Sequence, residues 1–196
     1  MTTNRTRSFA AIAAIAVGVS LTACSQETVA TPTAVTSSAS VPTSSGATAE
    51  PAPTDSSDKT SAAVSESRLT VTDVRIGAHE NFDRVVYEMG GTGTPGWRVK
   101  YVDAAVQEGS GKPMNVTGGA VIQVLIDGSA YPFDSGVDQY SGPNPVPGVA
   151  GGIVTEVNGS SVFEGVTQSF IGVTEKRPFS VTTLSDPVRV VVDVAR

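Results

Sequence analysis

Pro187-Val188-Arg189-Val190-Val191-Val192-Asp193-Val194 decides the fold of this chain. Val188, Val190, Val192 and Val194 fall on one parity, and Arg189, Val191 and Asp193 on the other. An alternation of period two is the mark of a strand that buries one face, because successive side chains point to opposite sides of a sheet. Upstream, Val85, Tyr87 and Met89 alternate with Arg84, Val86 and Glu88, and Trp97, Val99 and Tyr101 alternate with Arg98 and Lys100. Further strands are expected at Leu69–Ile76, Val121–Ile126, Ile153–Val157, Ser169–Val173 and Phe179–Leu184. Leu69 and Val71 share a parity that Val74 and Ile76 reverse, so a bulge is expected near Thr72–Asp73. Glycine, proline and asparagine fill the intervals. The expectation is an all-β domain, a small antiparallel β-sandwich of about eight short strands spanning Arg68–Arg196.

Outward from this domain the composition changes. Between Ser25 and Ser67, Ser, Thr, Ala, Pro and Val dominate and no aromatic residue occurs. Such a segment has too little apolar surface to offset its chain entropy and is expected to be a disordered linker. With Cys24 it forms a tether over residues 24–67, with an end-to-end reach of roughly 35–40 Å.

Before the tether, Arg5 and Arg7 precede the small apolar run Phe9–Leu21, which ends in Leu21-Thr22-Ala23-Cys24. This is the pattern of a secretory leader, here residues 1–23. The run falls short of the ~20 residues that span a bilayer. Cys24 is the only cysteine, so it has no disulfide partner. Leu-Thr-Ala-Cys resembles the lipobox of bacterial lipoproteins, which implies a diacylglyceryl group on the Cys24 thiol. The expected location is the outer face of the bacterial cytoplasmic membrane, with the cell membrane itself as the first partner.

Charge and residue counts exclude several functions. The formal net charge is −6, and loss of a leader that carries Arg5 and Arg7 but no acid takes it to −8. A nucleic-acid partner needs a basic face and is not expected. His79 is the only histidine, and no Gly-x-Ser-x-Gly elbow occurs, so a catalytic triad has little to draw on. His79-Glu80-Asn81-Phe82-Asp83 lacks the second histidine of a zinc-protease helix and lies among strands. Gly91-Thr92-Gly93-Thr94-Pro95-Gly96 fits a phosphate-loop pattern but opens a strand rather than a helix, and reads as a turn. Asp127, Asp134 and Asp138 lack calcium-loop spacing and read as a solvated acidic loop. The expectation is a protein without enzymatic activity, metal or cofactor.

Three stretches carry a family likeness: Gly77-Ala78-His79-Glu80-Asn81-Phe82-Asp83-Arg84-Val85-Val86-Tyr87-Glu88, Gly96-Trp97-Arg98-Val99-Lys100-Tyr101-Val102, and Pro178-Phe179 with Leu184-Ser185-Asp186-Pro187-Val188-Arg189-Val190-Val191-Val192-Asp193-Val194. From about Leu69 onward the chain resembles the AMIN-like domains of bacterial envelope lipoproteins, relatives of the AMIN module. The resemblance implies a small β-sandwich. It also implies a non-catalytic role near cell-wall amidases or secretion machinery, with peptidoglycan as ligand. No amidase segment follows before Arg196, so the expectation is a free binding module or an adaptor for an envelope protein.

The candidate contact residues divide into two groups. Arg84 and Arg189 lie on the polar parity with Asp193. They serve either as cross-strand ion pairs or as a polar face for sugar hydroxyls and peptide carboxylates. Trp97 and Tyr101 share the parity of Val99 and are expected in the core. The long connection between Asp127 and Gly152 therefore supplies the remaining aromatic candidates, Tyr131, Phe133 and Tyr140. His79, before its strand, is expected as a turn residue and is a further candidate.

Overall fold

The computed structural model describes residues 50–196. The leader, Cys24 and the tether as far as residue 49 lie outside the described residues. In chain order the elements are β1 (Lys59–Ser61), β2 (Arg68–Ala78), β3 (Phe82–Thr92), β4 (Gly96–Val102), β5 (Ala120–Asp127), α1 (Pro132–Ser135), β6 (Val146–Pro147), β7 (Val154–Phe163), β8 (Val166–Val173), β9 (Phe179–Leu184) and β10 (Val188–Ala195). They build two antiparallel sheets. One has the order β1-β4-β5-β8-β7-β6 and the other β2-β3-β10-β9. All eight expected strands are present.

The core lies between the sheets and is built from the alternating residues. Val85, Tyr87 and Met89 of β3 meet Val190, Val192 and Val194 of β10 on the inner face of the four-stranded sheet, opposite Val99, Ile122, Val124, Ile126 and Ile171. Each buried Val or Ile contributes about 1.5–3 kcal/mol relative to exposure. The expected bulge is real: β2 pairs with β3 through Val71, skips Thr72 and resumes at Asp73. That extra residue lets Leu69, Val71 and Val74 all be buried despite their opposed parities. Trp97 and Tyr101 are half-buried against this core. The Trp97 indole Nε1 donates to Thr183 Oγ1 at 3.0 Å, which joins β4 of one sheet to β9 of the other.

One division made on composition needs correction. Residues 50–67 belong to the folded body, not to the linker. Lys59–Ser61 pairs antiparallel with Trp97–Val99 as an edge strand. The Phe179 amide donates to Asp55 O at 2.9 Å, and Asn81 Nδ2 donates to Glu50 O at 3.1 Å. Ser67 Oγ donates to Thr94 O at 2.9 Å. Residues 50–61 thus form a strap that touches β9 and the start of β3 in one sheet before adding a strand to the other. Backbone hydrogen bonds hold it, and these need no apolar side chains. A polar composition therefore concealed it.

Candidate functional site

The residues of the His-x-x-Phe-Asp-Arg stretch are spent on the fold. The His79 amide donates to Phe82 O at 2.9 Å, and its imidazole stacks on the Phe82 ring, 4.6 Å between centroids. Asp83 is wholly buried. Its Oδ2 accepts the amides of Ile153 (2.6 Å) and Val154 (3.0 Å), and its Oδ1 accepts Arg196 Nε at 2.8 Å. One carboxylate therefore ties β3 of the four-stranded sheet to the start of β7 in the six-stranded sheet. A buried charge is tolerated only when paired and hydrogen-bonded, as here. Gly152 makes room for it, since a Cβ there would overlap the Asp83 carboxylate.

Arg84 stands directly opposite Asp193 in the β3–β10 register. The pair is bidentate, with Nε to Oδ1 at 2.7 Å and Nη2 to Oδ2 at 2.8 Å, and Nη2 also meets Glu50 at 2.9 Å. The Asp193 carboxylate, with help from Glu50, pushes the guanidinium pKa upward, although desolvation opposes the shift. Arg189 lies opposite Glu88, whose carboxylate is held by Arg75 at 3.0 Å. Its own Nε donates to Pro187 O at 3.1 Å. The two candidate arginines share a sheet face but are not brought together into one site.

The long connection behaves differently. Pro132 opens the single turn α1, and Gly136, in the left-handed region at φ 76°, closes it by donating to Pro132 O at 2.9 Å. Thr70, fully buried on β2, fastens the turn: its hydroxyl donates to Ala130 O at 2.7 Å and lies 2.6 Å from Ser135 Oγ. This places Tyr131 and Phe133 with their rings stacked, 5.4 Å between centroids and 8° from parallel. Phe133 is 82% exposed and Tyr131 40%. Beside the stack is a hollow of about 320 Å³, lined by Arg68, Ser129, Tyr131, Asp134, Val162 and Gly165. Arg68 forms no ion pair among the described residues.

Tyr140 stands apart from the stack. Its amide donates to Val71 O at 2.8 Å, its ring packs on the core and its hydroxyl donates to Pro143 O at 3.0 Å. Asp127 is held by Arg98 through two hydrogen bonds of 2.9 and 3.1 Å. No three His, Cys, Asp or Glu side chains gather in metal-binding range among the described residues. Arg68 was missed at the sequence level, because it sits at an apparent domain edge some sixty positions from the aromatic residues it neighbours.

The arrangement, two packed antiparallel sheets with an aromatic and basic rim, defines the molecule as a β-sandwich module. The model of the AMIN-like domain matches residues 69–196, so the chain belongs to the AMIN-like family, whose domains are extracytoplasmic modules of the cell envelope. No curated protein and no solved structure matches it.

Proposed function

We propose that this protein is a membrane-anchored, non-catalytic module of the bacterial envelope that binds peptidoglycan or an associated wall polymer through the Tyr131–Phe133 stack and Arg68. The observation that carries the reading is the exposed stack itself. Two stacked rings beside a hollow, one of them 82% exposed, support reading this rim as an interaction surface. Aromatic faces suit the apolar faces of sugar rings, and a free guanidinium fork suits a carboxylate such as a stem peptide carries. Asp134 on the same rim disfavours polymers of dense negative charge. The diacylglyceryl group on Cys24 supplies attachment, and the strap and tether place the module off the membrane.

Retention of the full chain on insoluble cell wall tests this. Phe133→Ala and Arg68→Ala each weaken retention. Added salt removes only the Arg68 component, since stacking is not screened. Full retention of Phe133→Ala rejects the site, and an unmodified Cys24 thiol in protein recovered from bacteria rejects the anchor. A second reading, an adaptor that docks an envelope protein, draws on β9: it ends the four-stranded sheet, and its Leu184 is 39% exposed. Crosslinking to a protein together with indifference to purified wall would favour the adaptor.

A further inference from the structure

One hollow in this acidic chain is lined by uncharged residues alone. A cleft of about 250 Å³ opens where the connection after β4, the long connection after β5 and strand β7 converge, and Gln107, Gln139, Tyr140, Asn144, Ser160 and Ser161 line it. No lining residue carries a formal charge at neutral pH, in a chain of net charge −6. The Tyr140 phenol is neutral at neutral pH, and burial, with a smaller push from Asp73, raises its pKa further.

The walls are pinned. Gln168, 6% exposed, donates from Nε2 to Val106 O and accepts the Glu108 amide at Oε1, both at 2.9 Å, which fixes the first connection. Asn144 Oδ1 accepts the Gly159 amide at 2.9 Å. Gly159 lies in the left-handed region at φ 80°, inside a register shift of β7 between Asn158 and Ser161. A bulge of this kind re-aims the side chains beside it, and here it turns Ser160 and Ser161 to the cleft. Gly142 leaves room for the Tyr140 ring, which a Cβ would overlap.

Inside these walls, hydrogen-bonding capacity is left over. Gln139, Ser160 and Ser161 make no side-chain hydrogen bond among the described residues, and the amide nitrogens of Gln107 and Asn144 are also free. A charged ligand would find no counter-charge in the cleft, and an apolar one would strand these groups without water. A neutral molecule that both donates and accepts, with one ring-sized body, satisfies them. The volume lies just below the ~300–1,000 Å³ of sites for drug-sized ligands.

We propose that this cleft binds a single uncharged pyranose unit of a saccharide, at a site separate from the Tyr131–Phe133 hollow and independent of what that hollow binds. Tyr140 and Met114 form the apolar wall, and Gln139, Asn144, Ser160 and Ser161 meet ring hydroxyls or an acetamido group. The same chemistry comes from an N-acetylated glycan or from a plain hexose polymer. Titration of the full chain with chitotriose and with maltotriose, followed by backbone NMR, separates these sources. Saturable binding of either sugar is expected, with shifts confined to residues 107, 114, 139–144, 159–161 and 168. A stronger response to chitotriose assigns the acetamido source, and a stronger response to maltotriose the plain hexose. Gln139→Ala and Ser160→Ala, which remove no internal hydrogen bond, each weaken binding about fivefold, the equivalent of one net hydrogen bond. Phe133→Ala leaves it unchanged. Failure of both sugars to bind, or binding that is lost in Phe133→Ala and unaffected by the two cleft variants, overturns the assignment.

Discussion

Two parts of the sandwich treat polar side chains in opposite ways. Around β3 and β10, Asp83, Arg84 and Asp193 are joined to one another's strands and to the opposite sheet by short hydrogen bonds. Around the long connection, Phe133 faces water, Arg68 lacks an ionic partner among the described residues, and the amide nitrogens of Gln107, Gln139 and Asn144 in the neutral cleft make no hydrogen bond among the described residues. The first region holds the sandwich closed. The second has surface to offer. The charges of the more memorable motif are therefore already used within the fold.

Four experiments break or sharpen that contrast. The largest effect is expected from Asp83→Ala, which strands two buried amides and Arg196. It should lower unfolding free energy by about 3–5 kcal/mol in urea titration. A loss below about 1 kcal/mol would mean that Asp83 is not a lock. Next, a double-mutant cycle of Arg84→Ala with Asp193→Ala should show a coupling near 1 kcal/mol, reduced by salt, because the pair is only partly buried. Third, Phe133→Ala should leave stability within about 0.5 kcal/mol of the parent while lowering wall retention roughly two- to tenfold. A clear loss of stability would erase the distinction between the two regions.

The smallest effect is electrostatic and belongs to the strap. Lys59 first, then Ser57, holds the exposed Asp55 carboxyl down to about 2 from its usual 3.8. A pKa below its unfolded value means stability that is complete above about pH 4 and lost as pH falls through 2. Acid titration of Lys59→Ala beside the parent should show a small gap in stability that is constant above about pH 4 and closes as the pH falls through 2.

The eight principal strands were legible because valine-rich alternation survives wherever a sheet face is buried. The bulge was legible for the same reason, as a break in parity between Val71 and Val74. Elements with no buried face left no trace: Lys59-Thr60-Ser61 is polar throughout, β6 is two residues beside prolines, and α1 is one turn. The candidate site was half legible. Tyr131 and Phe133 stood out once Trp97 and Tyr101 were assigned inward, but their stacking depends on Thr70 and Gly136. The Arg84–Asp193 partnership needed the knowledge that β3 lies beside β10, 109 positions away in sequence. Arg68 and the amide cleft were invisible, since each is assembled from segments that touch only after folding.

The strap has a mechanical consequence. Any pull delivered by the residues before Glu50 first meets the Glu50–Arg84 contact, then the Asp55–Phe179 hydrogen bond, and only afterwards the paired edge of β1. Load is therefore met by both sheets in succession before it reaches Arg68 and the start of β2. A tug on the segment before Glu50 is thus resisted first by contacts to the four-stranded sheet and then by the paired edge of the six-stranded one.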